Sequence, residues 1–288
     1  MKKISTKNTH HEQINLALAY INSNYSIDIK AEELASISGY SLYHFHRTFK
    51  SITGENVHDY LRNTRLEKAS NLLIYNQHKK IEEIALGCGF STGTGFGAAF
   101  KKRFGMTPKE WRKVGFKIYD ENIKFSDDID IAEPSIVNMP LMYILYMRTY
   151  GYKEDMSEIW QKMYNWCDHH DILQKDIKYF GLFHNHPSSL PYDNARYLAC
   201  INITSDDVFR SGVVGRCRIL EGRFAKFCFK CTHAELYIHM QYAYIKWLGD
   251  SDYELRNFPS YVEYKNPEAL LENGILEVEF FMPVQITI

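Results

Sequence analysis

A segment near the start of the chain occurs twice, and this repeat constrains the fold more than any other feature. EELASISGYSLYHFHRTFKSITG covers residues 32–54, and EEIALGCGFSTGTGFGAAFKKRFG covers residues 82–105. The Gly-aromatic-Ser tripeptide recurs at an offset of 50 residues, and after one inserted residue the positions of Phe45, Phe49 and Gly54 recur at an offset of 51. The first part of the chain therefore contains two copies of one structural unit.

Each copy predicts a short helix, a glycine turn and a second helix. Ser41 and Ser91 are predicted N-caps of the second helices, because a serine oxygen accepts a free backbone N–H. Gly54 and Gly105 are predicted to end these helices, because glycine adopts the left-handed conformation. Two helices joined by a tight turn form a helix-turn-helix, whose second helix can enter the DNA major groove.

The second helix of the first copy has two distinct faces. Its apolar residues fall at helical spacing and are predicted to pack inward: Leu42, Phe45, Phe49 and Ile52. Its outward residues have the donors that reach base edges in the major groove: Tyr43, His46 and Arg47. The alternative is a polar face that only contacts solvent.

The second copy has lost the long side chains of this outward face. At the offset of 51, Tyr43, His46 and Arg47 correspond to Thr94, Gly97 and Ala98. We expect the first motif to contact bases and the second mainly to hold the DNA backbone. The predicted phosphate contacts are Ser41, Lys50, Ser91, Lys101, Lys102 and Arg103.

Two alternatives explain the glycines of GTGFG without DNA. Small residues also allow a helix to lie close to a neighbouring helix. A phosphate-binding nucleotide loop requires a strand before the glycines, whereas IEEIALGCGF favours a helix.

Charge divides the chain into a basic and an acidic part. Residues 1–116 hold 17 Lys and Arg against 10 Asp and Glu, whereas the remainder holds 17 against 25. A basic first domain favours a polyanionic partner. No apolar run is long enough to span a bilayer, and the first residues lack the apolar core of a signal peptide, so we predict a cytoplasmic protein without a membrane partner.

Residues 10–113 resemble the DNA-binding domain of the AraC/XylS family of transcription regulators. The matching elements are ELASISGYSLYHFHRTFK, YLRNTRLEKASNLL, IEEIALGCGF and FKKRFGMTPKEWR. The resemblance implies seven helices in residues 1–115, two recognition helices on one face of double-stranded promoter DNA, contact with RNA polymerase, and an activator. It places Tyr43, His46 and Arg47 at base-contacting positions, and Thr94 at one in the second motif. GENVHDY lacks the proline that often follows the first motif, and the glycines of the second helix replace larger residues.

Residues 116–130 are polar and predict a linker. Beyond them two units share the order strand, helix, strand, strand, from MYILYMRTYGY to RYLACINI and from RFAKFCFK to LEVEFFMPV. The predicted class is therefore multidomain, with an all-α first domain and an α+β second domain. Its two β-α-β-β repeats pair in one antiparallel sheet with both helices on one face. The other face is predicted to form an aromatic-lined concavity for a small ligand.

Residues 131–288 resemble the GyrI-like effector-binding domains attached to several bacterial regulators. The matching segments are YMRTYGYKEDMSEIW, PYDNARYLACI, EGRFAKF, DYELRNFPSYVEYKNPE and EFFMPV. The resemblance implies an amphipathic, often cationic, organic effector that meets a carboxylate among aromatic rings. Glu263 is the first candidate carboxylate and Glu279 the second. The candidate aromatic residues are Tyr150, Trp160, Tyr164, Tyr197, Tyr261 and Phe281.

Three further hypotheses concern chemistry in the second domain. Some GyrI-like domains hydrolyse reactive small molecules, and Glu263 with a nearby tyrosine has the groups of a general base and an orienting acid. The domain is alternatively a protein-interaction module without a ligand. Cys228 and Cys231 form the only CxxC, but residues three apart on a strand face opposite sides, and His184 and His186 lack further ligands beside them. We predict no metal, no cofactor and no catalytic residues.

Overall fold

The computed structural model describes residues 6–114, 131–150, 156–170, 172, 177–183, 196–203, 213–272 and 274–287. The predicted linker, 116–130, lies outside these residues. The first described range is entirely helical between its turns. Its helices are α1 (Thr6–Asn24), α2 (Ala31–Ile37), α3 (Leu42–Thr53), α4 (Val57–Tyr75), α5 (Ile81–Gly87), α6 (Gly93–Phe104) and α7 (Pro108–Val114).

The two copies of the repeat form two small hydrophobic cores that share the long helix α4. Phe45 and Phe49 of α3 pack in the first core with the beginning of α4, up to Leu61. Phe96 and Phe100 of α6 pack in the second core with the part of α4 that starts at Leu66. The predicted double helix-turn-helix is confirmed, and α4 sets the relative orientation of its halves.

The second half of the chain is an antiparallel sheet with helices. Its strands pair in the order β1-β6-β9-β8-β3-β4-β2-β5, and β7 pairs with β9. The strands are β1 (Ser135–Met139), β2 (Met142–Tyr150), β3 (Tyr179–Phe183), β4 (Arg196–Ile203), β5 (Gly215–Ile219), β6 (Gly222–Cys231), β7 (Tyr253–Leu255), β8 (Ser260–Tyr264) and β9 (Leu276–Ile286). The helices are α8 (Ser157–His169), α9 (His233–Tyr242), α10 (Leu248–Asp250), which follows a π-helical segment at Ala243–Trp247, and α11 (Ala269–Glu272).

The predicted β-α-β-β repeats are confirmed, and they join where β3 pairs with β8. Sequence analysis missed a short strand before each repeat. These strands are exchanged: β1 pairs with β6 of the second repeat, and β5 pairs with β2 of the first. Both are only five residues long. β1 lacks the alternating apolar pattern that predicts a strand, whereas in β5 Cys217 and Ile219 do alternate with Arg216 and Arg218, so β5 contained a usable signal.

The exchange bends the sheet strongly. Met139 ends β1 and Met142 begins β2, so their Cα atoms lie at most about 11 Å apart, although β1 and β2 stand near opposite ends of the strand order. The two edges of the sheet therefore approach each other. We call the surface that the bend encloses the inner face, and the surface that carries the helices the outer face.

Each face of the sheet carries its own core. The outer face packs Leu236 and Met240 of α9 and Met163 of α8 over Val262 and Phe280. The inner face is filled by large side chains, all at most 6% exposed: Ile144, Tyr146, Phe180, Leu182, Leu198, Cys200, Ile219, Phe224, Tyr261 and Phe281. The predicted concavity is thus filled by aromatic and aliphatic side chains along most of its length.

The described helices contain none that is long and apolar enough to cross a bilayer.

Candidate functional site

Helix α3 presents a polar face that is free of the protein core. Ser41 caps the helix by accepting a hydrogen bond from the amide N–H of His44, at 3.5 Å. Tyr43 is 79% exposed, and Arg47 on the next turn is also exposed. His46 is half-buried, and its ring centroid lies 6.1 Å from that of His58 in α4. Tyr43 and Arg47 are therefore the more accessible of the predicted base-contacting residues.

The inward face of α3 is shorter than the sequence predicts. Phe45 and Phe49 are fully buried, but Leu42 is 37% exposed. The prediction that Leu42 packs inward is wrong, because it occupies the first position of the helix, where the backbone has just emerged from the turn.

Helix α6 begins one residue later than predicted. Its N-cap is Thr92, whose hydroxyl oxygen accepts a hydrogen bond from the amide N–H of Gly95 at 3.1 Å. Ser91, predicted as the cap, is exposed and precedes it. Ser41 and Thr92 are 51 residues apart, so the inserted residue lies in the turn before the cap rather than in the helix.

The glycines of α6 leave an open surface. A Cβ atom placed on Gly97 would meet no atom within 4 Å, and the neighbouring Thr94 and Ala98 are exposed. The described part of the protein therefore gives no packing reason for a small residue at this position. The glycines follow helix α5 instead of a strand, so the arrangement also differs from a nucleotide phosphate loop.

The basic residues at the end of α6 have two different environments. Lys101 and Lys102 are exposed in the last turn, as is Lys50 in the last turn of α3. Arg103, predicted to bind phosphate, instead donates a hydrogen bond to Glu67 of α4 at 3.0 Å, and its side chain is 28% exposed. Arg103 thus holds α6 against α4, a role that its position in a basic run does not indicate.

Four of the predicted effector residues lie together on the inner face. Glu263 of β8 pairs with Glu279 of β9 in register, and Tyr261 pairs with Phe281 two residues along. The rings of Tyr261 and Phe281 stack with centroids 4.6 Å apart. The hydroxyl of Tyr261 is buried without a hydrogen-bond partner among the described residues, and burial raises its pKa.

Lysines surround these two carboxylates. The Nζ atom of Lys265 lies 2.7 Å from Glu263 and 2.8 Å from Glu279. Lys178 adds a contact to Glu263 at 3.5 Å, and Lys226 adds one to Glu279 at 2.9 Å. Burial alone would raise the pKa of Glu279, but hydrogen bonds from Lys265 and Lys226 lower it below its usual value. Glu279 is therefore held ionised by protein ammonium groups, and Glu263 shares one of them, Lys265.

The other predicted aromatic residues do not share this site. Trp160 and Tyr197 are buried on the outer face, where the hydroxyls of Tyr197 and Tyr264 lie 3.0 Å apart. Tyr164 is 41% exposed on α8, on the side of the sheet that carries the helices. The side chain of Tyr150 lies outside the described part. One sheet separates Trp160 and Tyr197 from Glu263, so these two residues support the core rather than the carboxylate site.

Sequence reasoning missed the lysines of the site. Glu263 and Lys265 are two residues apart, a spacing that places both side chains on one face of a strand, so SYVEYK contained a usable signal. Lys178 and Lys226 reach the site only through the pairing of distant strands, and no local pattern indicates them.

The described residues contain no group of three or more His, Cys, Asp or Glu side chains that could hold a metal ion. Cys228 is exposed and Cys231 is buried, as expected for residues on opposite sides of β6. His184 and His186 lie outside the described residues.

Two family models match the chain. A helix-turn-helix domain model covers residues 34–114, and a GyrI-like small molecule binding domain model covers residues 132–285. The second match alone spans more than half of the chain.

Individual curated proteins are similar to parts of this chain. The bifunctional transcriptional activator/DNA repair enzyme AdaA of Bacillus subtilis is 34% identical over 113 residues, which are 39% of this chain and 53% of that protein. The probable transcription factor PqrA of Proteus vulgaris is 39% identical over 87 residues, which are 30% of this chain and 70% of that protein. This chain thus spans about half the length of AdaA.

A solved structure of an AraC-type transcriptional regulator from Chromobacterium violaceum is 29% identical, with a TM-score of 0.34. The match covers 35% of this chain and 90% of that one.

Proposed function

Since this chain belongs to the AraC/XylS family of transcription regulators and carries a GyrI-like small-molecule-binding domain, we propose that it activates transcription from specific promoters in response to an organic effector. The observation that most supports binding to specific promoters is the difference between the exposed faces of its two recognition helices. Helix α3 exposes Tyr43 and Arg47, whereas the equivalent face of α6 carries only Thr94 and small residues.

Helix α3 contacts base edges and α6 holds the backbone of the next groove turn. An arginine makes two hydrogen bonds to guanine, which gives it sequence information, and a lysine at a phosphate gives none. The open surface at Gly97 allows the α6 backbone to approach the duplex closely. Lys101 and Lys102 then supply the charge, together with Lys50 of α3.

The partners that follow are double-stranded promoter DNA and RNA polymerase. Contact with RNA polymerase is what membership of the family implies for an activator, and AdaA is named as a transcriptional activator. The effector binds on the inner face at the end where Glu263 and Glu279 lie beside Tyr261. A cationic amphipathic effector would replace a lysine as partner of Glu263 while its apolar part contacts the aromatic rings.

The DNA part of this proposal is tested by capturing genomic fragments of the host with the purified full-length protein. Fluorescence anisotropy then compares the captured fragments with random duplexes of equal length at about 150 mM salt. We expect captured fragments to bind at least about 1,000-fold more tightly than random duplex. Equal binding to both would contradict the proposal.

The effector part is tested by a thermal-shift screen with hydrophobic organic cations. A compound that binds the folded state raises the melting temperature. The Glu263→Gln variant should lose this shift, because it removes the negative charge and keeps the shape. Glu277→Gln is the matched control, since Glu277 of β9 also pairs with a lysine, Lys230 of β6, but is 53% exposed. A shift that survives in Glu263→Gln would place the effector elsewhere.

A further inference from the structure

Arg196 begins strand β4 and leaves its own domain to contact helix α4. Its guanidinium donates to the hydroxyl of Tyr60 at 2.8 Å and to that of Thr64 at 3.3 Å. It also forms an ion pair with Glu67, and both side chains of this pair are less than 10% exposed. The guanidinium carbon lies 5.1 Å from the centroid of the Tyr60 ring. Arg196 is thus almost completely surrounded by the DNA-binding domain on one side and the sheet on the other.

The contacted residues lie at the junction of the two helix-turn-helix units. The first core includes α4 up to Leu61, and the second includes α4 from Leu66 onward. Thr64 and Glu67 lie at this junction, where a small change in α4 alters the orientation of one unit relative to the other. The carboxylate of Glu67 also contacts α6, because its second oxygen accepts a hydrogen bond from Arg103.

A chain of three side chains therefore connects the sheet with a recognition helix. It runs from Arg196 of β4 through Glu67 of α4 to Arg103 of α6. A carboxylate that two guanidinium groups share in a buried site has a fixed position, since moving it costs both charge-assisted hydrogen bonds. Lys68 is buried beside this pair, and burial together with the charge of Arg196 lowers its pKa to about 8.

Arg196, the first of these three connected side chains, lies on the inner face of the sheet. Arg196, Leu198 and Cys200 alternate on one side of β4, and Leu198 and Cys200 are part of the inner core. Cys200 and Glu263 are both register partners of Phe180. Arg196 is four residues from Cys200, so it lies about 13 Å along the strand from the row that contains Glu263.

We propose that Arg196 is a positioning residue through which the inner face of the sheet sets the orientation of helix α6 on DNA. This rests on the proposed function, because it assumes that α6 holds DNA and that the effector binds on the inner face. An effector that moves β4 moves Arg196, and Glu67 transmits this movement to Arg103. The DNA contact that changes is the one between α6 and the DNA backbone, whereas α3 keeps its contacts with base edges.

A second interdomain contact provides a control. Glu254 of β7 pairs with Lys79 at 2.8 Å and with His78 at 2.6 Å, just after α4. In the described part of the protein its hydrogen-bond partners are His78, Lys79 and Gln285, none of which belongs to α6. Loss of this carboxylate also weakens the attachment of the two domains. Glu254→Gln therefore separates general loosening from the specific effect of Arg196.

The first test is amide hydrogen exchange of the full-length protein without DNA. Arg196→Gln should raise exchange of peptides from residues 93–104 by about fivefold or more, and that of peptides from 42–53 by less than about twofold. Glu254→Gln should raise exchange near residues 76–79 and leave residues 93–104 unchanged. Arg196→Lys keeps a charge for Glu67 and should restore part of the protection. Unchanged exchange of residues 93–104 in Arg196→Gln would overturn the proposal.

The second test uses the duplex that the wild-type protein binds most tightly from a random library. Arg196→Gln and Arg103→Gln should each weaken binding about fivefold or more, and the double variant should be no weaker than either single variant by more than about twofold. Additive losses would contradict a shared path through Glu67. Arg103 is partly exposed, so Arg103→Gln reports on the path even where Arg196→Gln does not fold.

The two tests separate two kinds of failure. If the wild-type protein selects no duplex, the proposed function fails, while the exchange experiment still decides whether Arg196 positions α6. If the protein selects a duplex but Arg196→Gln leaves the amide hydrogen exchange of α6 unchanged, only the role of Arg196 is contradicted.

Discussion

Asn76 and Leu255 exchange two hydrogen bonds across the two domains. The side-chain amide of Asn76 donates to the carbonyl oxygen of Leu255 at 2.9 Å, and its oxygen accepts from the N–H of Leu255 at 3.0 Å. Asn76 is the residue that caps the end of α4, and it is 1% exposed. The side chain thus takes the place of a neighbouring strand for β7, and it joins the helix that connects both DNA-binding units to the edge of the sheet.

Replacing Asn76 with alanine should weaken the whole protein. The change leaves two buried backbone groups of Leu255 unpaired, so we expect a loss of roughly 2 kcal/mol in the free energy of unfolding. Denaturant unfolding followed by circular dichroism measures this loss. Asn24→Ala is the control, because among the described residues the Asn24 side chain donates to the carbonyl of Tyr20 within its own helix α1, at a partly exposed position. Equal effects of the two variants would show that the interdomain bonds contribute nothing.

Lys68 should make the stability depend on pH above neutrality. Burial and the charge of Arg196 lower its pKa to about 8, from the ordinary value of 10.5. Between these values the unfolded chain binds more protons than the folded one, so stability rises as pH increases from about 8 to 10.5. At pH 7 the buried charge costs stability, and Lys68→Met should raise the free energy of unfolding by up to about 3 kcal/mol.

The same variant has an internal control in its pH dependence. Near pH 10.5 the amine of Lys68 is neutral in the folded protein and half protonated in the unfolded chain. Little of the cost of the buried charge then remains, so the advantage of Lys68→Met should largely disappear. An advantage that is equal at pH 7 and pH 10.5 would mean that packing, and not charge, causes it.

Arg47→Ala should reduce specific DNA binding by roughly 1–3 kcal/mol and relax the preference at one position of the site. Thr94→Ala is the matched change on the second recognition helix, and we expect a much smaller loss, because its neighbours Gly97 and Ala98 offer no long side chains. Titrations of each variant against single-base variants of the site measure both effects. A larger loss for Thr94→Ala would reverse the assignment of the two helices.

Lys102→Ala should weaken binding to all sequences alike. Removing one phosphate contact reduces the slope of log K against log salt by about 0.9. Anisotropy titrations at several salt concentrations give this slope. Lys162→Ala serves as control, since Lys162 is 60% exposed on the second domain and pairs with Glu158. A loss that depends on base sequence would contradict the assignment of Lys102 to phosphate.

The sequence predicts the helices and strands of this protein better than the contacts between distant ones. The repeat with offsets of 50 and 51 predicts both helix-turn-helix units, because glycine turns and helix caps depend on neighbours in the chain. Thr92 was missed as the cap because Ser91 aligns with Ser41 by identity, while the inserted residue moves the structural equivalent by one position.

In the candidate site, too, local patterns predict which residues share a strand face but not which distant residues contact them. Alternation along SYVEY placed Glu263 and Tyr261 on one face, and the pairing of β8 with β9 brings Glu279 and Phe281 beside them. Trp160 was ambiguous, since an aromatic residue on an amphipathic helix suits either a core or a pocket wall. Arg196 could not be assigned at all, because its partners Tyr60, Thr64 and Glu67 lie more than 120 residues away in the chain.

The unequal roles of the two recognition helices are tested by selecting duplexes from a random library with the wild-type protein and footprinting the selected site with hydroxyl radicals. We expect a short block of fixed bases in one major groove, and a second protected stretch about 10 base pairs away with variable sequence. The fixed block should lose one position in Arg47→Ala. Fixed bases of equal strength in both stretches, or selection of no sequence at all, would contradict this expectation.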